Sequence, residues 1–116
     1  MTPFRLILCL CLTIPAIPAA VAQPFPSKPI KVIVGYPPGG AVDIIARAVG
    51  QKLSAGLGQS VIIENKPGAG TNIAVRALIE SAPDGYTLML AANALAANMA
   101  LYNPAPFDAE RDLAPV

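Results

Sequence analysis

Residues 29–43 read Pro-Ile-Lys-Val-Ile-Val-Gly-Tyr-Pro-Pro-Gly-Gly-Ala-Val-Asp. Residues 30–34 form a short β-branched run closed by Gly35, which is typical of a buried strand. A loop of two prolines and two glycines follows. Residues 43–53 then have helical periodicity, with Arg47 and Lys52 pointing away from an apolar face. We expect that face to contain Ile45, Ala46, Val49 and Leu53.

The same alternation of strand, loop and helix continues along the chain. Residues 60–64 and 86–90 are predicted strands, residues 71–81 a helix capped by Thr71 or Asn72, and the alanine-rich segment to Tyr102 a weaker helix. Residues 56–58 and 83–85 end the first two helices, and residues 104–116 are predicted to be irregular. Helices of about 10 residues between strands indicate βαβ units with right-handed crossovers. The predicted fold is α/β with a parallel sheet.

The first 22 residues have the three-part layout of a secretory signal peptide. A basic start containing Arg5 precedes an uncharged run over residues 6–14 and the small-x-small pattern Ala20-Val21-Ala22. The run is well short of the ~20 residues that span a bilayer. Both cysteines follow leucine, which argues against lipoprotein processing. We therefore predict cleavage near Gln23, a periplasmic location and no stable membrane insertion after cleavage.

Composition excludes several classes of function. Of 116 residues, the 94 that follow the predicted leader contain seven basic and seven acidic residues and neither cysteine nor histidine. A net charge of zero argues against a partner such as nucleic acid or an anionic membrane. Without Cys or His there are no disulfides, thiolate nucleophiles, ordinary zinc sites or Ser-His catalysis. We expect no metal, no cofactor and no enzymatic activity.

Three loops follow the carboxyl ends of the predicted strands, at the edge where open α/β sheets bind ligands. In the loop of residues 36–43, prolines stiffen the chain, glycines allow close approach, and a helix N-terminus offers N–H groups to an anion. The alternative is an ordinary turn in which Asp43 only offsets the helix dipole. Tyr36 is placed either to line a pocket or to pack.

The second and third loops are residues 66–72 and 91–94. The second also brings glycines to a helix start, but Ile73 replaces the third glycine of a dinucleotide fingerprint and no Gly-Lys-Ser/Thr is present. The third offers one amide, Asn93, and its alternative is a core-packed alanine turn.

The charged side chains show no acid/base pair. Asp84 belongs to a Pro-Asp-Gly turn and is predicted to be structural. Glu64 and Lys66 are predicted to form a solvated pair of little energetic weight. Residues 108–112 are predicted to be a solvated tail. Thr71, Asn93 and Asp43 are the remaining candidates for catalysis, and none has an activating partner in the sequence.

Several motifs in fixed order resemble the Bug-type solute receptors of tripartite tricarboxylate transporters. The matching stretches cover essentially all of the mature chain. They are Pro26-Ser-Lys-Pro-Ile-Lys-Val-Ile-Val, Tyr36-Pro-Pro-Gly-Gly-x-x-Asp, Gln51-Lys-Leu, Leu57-Gly-Gln-x-Val, Val61-Ile-Ile-Glu-Asn-Lys-Pro-Gly-Ala-Gly-x-Asn-Ile, Ala82-Pro-Asp-Gly-Tyr-Thr-Leu, Leu101-Tyr-x-Pro and Arg111-Asp-Leu-Ala-Pro-Val.

The resemblance implies a periplasmic binding protein that captures a small carboxylate between two α/β domains and delivers it to membrane permease subunits. It implies a type II periplasmic binding protein fold, of which this chain holds the first half of domain 1, and a monomer if folded. Ligand carboxylates meet backbone N–H groups and ordered waters of the family's loops. Carried over by position, the ligand-binding residues are Tyr36, Pro38, Gly39, Gly40, Ala41, Asp43, Ala69, Gly70, Thr71, Asn72 and Asn93.

The chain departs from the family pattern in two loops and in length. Ala41 and Val42 replace frequent hydroxyl residues, and residues 91–96 lack the polar residues common after the third strand, which predicts a more apolar ligand or a reduced affinity. Family members are more than twice as long. We therefore expect residues 23–116 to be a partial domain of an N-terminal fragment without the second domain, with weak or no activity alone. The alternatives are an interaction module that docks through its open sheet edge, and an α/β enzyme.

Overall fold

The computed structural model describes residues 24–116, so the predicted leader and its cleavage point lie outside the described residues. Strands and helices follow one another in the predicted order. They are β1 (Ile30–Val34), α1 (Ala41–Leu57), β2 (Val61–Asn65), α2 (Asn72–Ile79), β3 (Thr87–Leu90), α3 (Ala94–Leu101) and α4 (Ala109–Asp112), with a 3₁₀ turn at Ala69–Thr71 before α2.

The three strands form one parallel sheet in the order β2-β1-β3. In its register, Val32 lies between Ile63 of β2 and Leu88 of β3. Because β1 has a neighbour on each side, it holds the most buried side chains, including Ile33 and Val34. Helix α1 packs on β1 and β2, and α2 packs on β1 and β3. The predicted parallel α/β fold is confirmed.

Helix α1 faces the sheet with two small residues, of which Ala46 belongs to the predicted apolar face and Gly50 does not. Ala46 and Gly50 are buried, whereas Ile45 is 53% exposed and Val49 is 46% exposed. A Cβ at Gly50 would lie 3.1 Å from Ile63 Cδ1, so a side chain at this position would make a tight contact with β2. The prediction was wrong for Ile45, Val49 and Leu53 because periodicity identifies helical faces but not the one that close packing selects.

The helix ends differ modestly from prediction. Helix α1 extends to Leu57, where left-handed Gly58 caps it by donating its N–H to the carbonyl of Ser54 at 3.1 Å. Thr71 occupies the N-cap position of α2, although its side chain makes no capping bond. In the segment predicted to be irregular, Asp108 accepts N–H bonds from Glu110 and Arg111 and begins α4. An effective N-cap therefore overrides the prolines nearby. Within residues 24–116, no helix is both long and apolar enough to cross a membrane.

Surface ion pairs secure the strand starts and ends. The carboxylate of Asp84 pairs with Lys28 at 2.8 Å and also accepts the N–H of Tyr86, which confirms its structural role. Glu64 pairs with Lys66 at 2.7 Å and with Lys31 at 2.9 Å. All of these side chains are partly solvated, so each pair contributes little to stability.

Gly35, directly after β1, allows close contact between the first strand and the 3₁₀ turn. A Cβ at this position would lie 2.8 Å from Thr71 Cβ and 3.2 Å from Ala74 Cβ. Both neighbours are buried, and Thr71 is additionally held in a left-handed conformation. Because Gly35 has no Cβ, the end of β1 can lie this close to the start of α2.

A buried carboxylate ties the loop after β1 to α1 and β2. Asp43 is 2% exposed and accepts bonds from the N–H of Gly39 at 2.9 Å, from Arg47 Nε at 2.9 Å and from Asn65 Nδ2 at 2.8 Å. Asn65 also donates to the carbonyl of Tyr36 at 3.1 Å and accepts from Arg47 Nη2 at 3.1 Å. Led by Arg47, these donors hold the pKa of Asp43 well below its usual range.

Gly35→Ala should destabilise the chain by about 1–3 kcal/mol, because the new methyl group overpacks a site with no room for it. Urea unfolding measures the change. The control is Gly56→Ala in the last turn of α1, where a Cβ meets nothing within 4 Å and the substitution should be neutral or stabilising. Equal stabilities for both variants would contradict the close contact.

Asp43→Asn should lower stability at neutral pH and flatten its dependence on pH. Because the folded-state pKa lies below the unfolded value of about 3.9, the contribution of Asp43 is complete above that value and is lost as pH falls through the folded-state pKa. Urea unfolding at pH values from about 6 to about 2 follows this loss. Asp84→Asn, at an exposed pair, is the control. An unchanged slope in Asp43→Asn would refute the role of the buried carboxylate.

Candidate functional site

The loops after the three parallel strands leave the same edge of the sheet. All the predicted ligand-binding residues lie in these loops or at the helix starts that follow them. The central position of β1 places the first loop between the other two. Direct contacts link neighbouring parts, since Gly35 packs against Thr71 and Asn65 at the end of β2 bonds to the carbonyl of Tyr36.

The first loop presents glycine backbone to solvent. Pro38, Gly39, Gly40 and Ala41 are exposed, and Tyr36 is half-buried. Helix α1 begins at Ala41, so the N–H groups of its first turn have no intrahelical acceptor and are available to an anion.

Asp43 lies behind this loop, not on its exposed side. Its carboxylate is already engaged by three donors, one of which is the N–H of Gly39. The carboxylate therefore fixes the loop conformation while it occupies one N–H that would otherwise face solvent. This arrangement is more specific than the dipole-offsetting role considered from the sequence. Its direct contact with a ligand stays a prediction.

The second loop has a strained backbone. Four successive residues have positive φ: Gly68 at 126°, Ala69 at 48°, Gly70 at 62° and Thr71 at 78°. A left-handed conformation costs about 1–2 kcal/mol for a residue with a Cβ, and such strain clusters at ligand sites. Thr71 is 5% exposed, and its hydroxyl has no hydrogen-bond partner among the described residues.

Two asparagines outside the predicted set hold these loops. Asn98 in α3 is 5% exposed; its Nδ2 donates to the carbonyl of Gly70 and, at 2.8 Å, to Asn72 Oδ1. Asn65 has the corresponding role for the first loop. A polar residue inside an alanine-rich helix, and another at the carboxyl end of a strand, are the sequence signals that could have identified them.

The third loop offers a free amide. Asn93 is exposed at the N-cap position of α3, where its side chain makes no capping bond. Ala92 and Ala94 on either side are partly buried. The amide is thus placed at the same edge without a structural task in the described chain.

Two cations near this edge, Arg47 and Lys66, are paired. Arg47 binds Asp43 and Asn65, and Lys66 binds Glu64. Across residues 24–116, no three acidic, cysteine or histidine side chains come together as a metal site. The chemistry available for an anion is therefore mainly that of backbone N–H groups and neutral amides.

Two open hollows differ in their relation to the predicted residues. One of about 340 Å³ runs from the second loop along α2 and includes Ala69 and Asn72 in its lining. The other, of about 690 Å³, lies between α1 and β2 and includes none of the predicted residues.

Comparison with known proteins gives a consistent set of relatives. Residues 45–116 match the family model described as "Tripartite tricarboxylate transporter family receptor". A UPF0065 protein of Bordetella bronchiseptica is 46% identical over 102 residues, which cover 87% of this chain and 30% of that protein. Protein BugT of Bordetella pertussis is 41% identical over 97 residues, or 82% of this chain and 30% of the relative.

Solved structures agree with these relatives. A protein described as a periplasmic transporter superposes with a TM-score of 0.70 at 46% identity, covering 73% of this chain and 29% of that one. The R. palustris protein Rpa4515 with adipate superposes with a TM-score of 0.69 at 30% identity and the same coverages.

The chain spans about 30% of the length of these relatives. The similarity nevertheless includes both glycine loops and the strands that position them, and the family model covers more than half of the chain. Other solved relatives are described as periplasmic binding protein BugD and as a TctC solute-binding protein. On these grounds the chain belongs to the tripartite tricarboxylate transporter receptor family.

Proposed function

We propose that this protein acts as an extracytoplasmic solute receptor that captures a small carboxylate and presents it to a membrane permease. The observation that carries the proposal is the pair of glycine loops, each of which begins a helix at the same edge of the sheet. The first-turn N–H groups of α1 and α2 would bind the ligand carboxylate there.

A carboxylate suits this edge better than a larger anion. The loops supply N–H groups and amides, while Arg47 and Lys66 are paired with acidic side chains. A single carboxylate needs few donors, whereas a polyphosphate is usually held by additional cations or a metal. The adipate named with the R. palustris relative is a ligand of this class.

Direct hydroxyl contacts are scarce in the first and third loops. Ala41 and Val42 follow the glycines, and alanines surround Asn93. We therefore assign specificity to backbone N–H groups, ordered water and Asn93, and we expect the ligand to carry an apolar body such as an alkyl chain between its polar ends.

The proposed location and the proposed lack of catalysis rest on the amino-acid sequence. Residues 1–22 would direct export and be removed, which would place residues 23–116 in the periplasm as a partial N-terminal α/β domain of a solute receptor. The protein would act as a monomer that releases its ligand to the permease without altering it. The absence of an activated nucleophile or acid/base pair in the loops supports binding over catalysis.

A small carboxylate should raise the melting temperature of the chain. Ligand at about 100 times Kd stabilises the folded state by about 2.7 kcal/mol, which corresponds to a shift of at least several degrees in a domain of this size. Thermal melts with succinate, adipate, citrate and a neutral diamide control measure the shift. If no carboxylate raises the melting temperature at millimolar concentration, carboxylate capture by this chain is refuted.

Gly40→Leu should weaken carboxylate binding at least about tenfold while leaving stability close to that of the parent. Gly40 has φ −75° and its Cβ would meet only the carbonyl of Pro37 at 3.4 Å, so a side chain fits but covers the approach to the first turn of α1. Calorimetric titration measures the affinity.

The matched control is Gly56→Leu, near the other end of α1, where a Cβ meets nothing within 4 Å. It should bind the carboxylate like the parent. Unchanged affinity in Gly40→Leu would exclude the first loop as the binding element.

A further inference from the structure

We propose that Asn65 and Asn98 are positioning residues, one for each glycine loop, and that they set carboxylate affinity without touching the ligand. This inference rests on the proposed function, because it names the residues that hold the proposed site in its binding conformation. Neither belongs to the predicted ligand-binding set.

Asn65 holds the first loop at two points. Its Nδ2 donates to the carbonyl of Tyr36 at the beginning of the loop and to Asp43 Oδ1 in the first turn of α1. The other oxygen of Asp43 accepts the N–H of Gly39. One side-chain amide thus fixes a loop carbonyl and also aligns the carboxylate that fixes a loop N–H.

Asn98 makes the corresponding contacts in the second loop. Its Nδ2 donates to the carbonyl of Gly70 and to Asn72 Oδ1 at the first residue of α2. It is almost fully buried, and the hydroxyl of Tyr102, the residue that follows α3, lies beside Gly70. The bonded carbonyl belongs to the segment of four residues with positive φ, so the asparagine bonds directly to the strained part of the loop.

Asn65 and Asn98 make the same pattern of hydrogen bonds. In each, a single amide nitrogen uses its two protons on a loop carbonyl and on a side-chain oxygen at the following helix start. An aspartate at either position could not donate these bonds. A leucine would have a similar shape but no polar group, which makes it the suitable test substitution. Because these carbonyls are already bonded, the loops are ordered before a ligand arrives, which lowers the entropic cost of binding.

The test compares Asn65→Leu and Asn98→Leu with the unsubstituted chain, labelled with ¹⁵N for NMR. Adipate is the probe, and its Kd is measured from chemical shifts at a temperature where every variant is folded. We expect Kd to rise at least about tenfold in each variant. Ser54→Ala is the control, because it removes a side-chain bond to the carbonyl of Gln59 far from the loops. Its Kd should stay within about twofold of the parent value.

Amide hydrogen exchange provides a second readout that needs no ligand. Asn65→Leu should accelerate exchange of Gly39, whose N–H is bonded to Asp43, and leave Thr71 unchanged. Asn98→Leu should accelerate exchange of Thr71, whose N–H is bonded to the carbonyl of Gly68, and leave Gly39 unchanged. A variant that does not fold is replaced by its serine counterpart, which retains one donor and should show the same effects at smaller size.

The outcomes separate this inference from the proposed function. Unchanged exchange at Gly39 and Thr71 in the respective variants overturns the positioning role, whatever the ligand does. Faster exchange with an unchanged Kd for adipate overturns it as well, because the loops would then not control affinity. If the unsubstituted chain binds neither adipate nor another dicarboxylate, the proposed function fails, and the claim that these residues set affinity fails with it even where exchange shows that they hold the loops.

Discussion

The buried carboxylate of Asp43 is the constraint on which the site depends. It sits at the junction of the first loop, α1 and β2, and three different donors converge on it. A buried charge is tolerable only when it is fully paired, so the surrounding groups must keep their relative positions or leave it exposed to an apolar interior. The conformation of the first loop therefore depends strongly on the hydrogen-bond partners of Asp43.

The architecture could be predicted from the sequence to a large extent, because strand and helix periodicities and glycine stops are local signals. The strand order also follows the usual connectivity of parallel sheets. The packing of α1 could not be predicted in the same way. Of the predicted apolar face only Ala46 is buried, and Gly50, which lies outside that face, packs closely on the sheet. Choosing between these faces requires the distance between two elements.

The candidate site divides in the same manner. The glycine loops can be recognised from their composition, and the parallel topology predicts that they meet at one edge of the sheet. The roles of Asn65 and Asn98 cannot be recognised in this way, because their partners lie 29 and 28 residues away in sequence and come near only in the folded chain. Strain at Ala69 and Thr71 is equally invisible in the sequence, because neither residue type by itself favours a left-handed backbone.

The contact between Gly35 and Thr71 has an evolutionary consequence. With less than the normal spacing for a Cβ between the two positions, neither residue is free to change independently. A side chain gained at position 35 requires a smaller residue at position 71, or a shift of the second loop, and an enlargement at Ala74 has the same effect. Homologues should thus show coupled substitutions at these positions, so that the ends of the first strand and of the second loop change together during evolution.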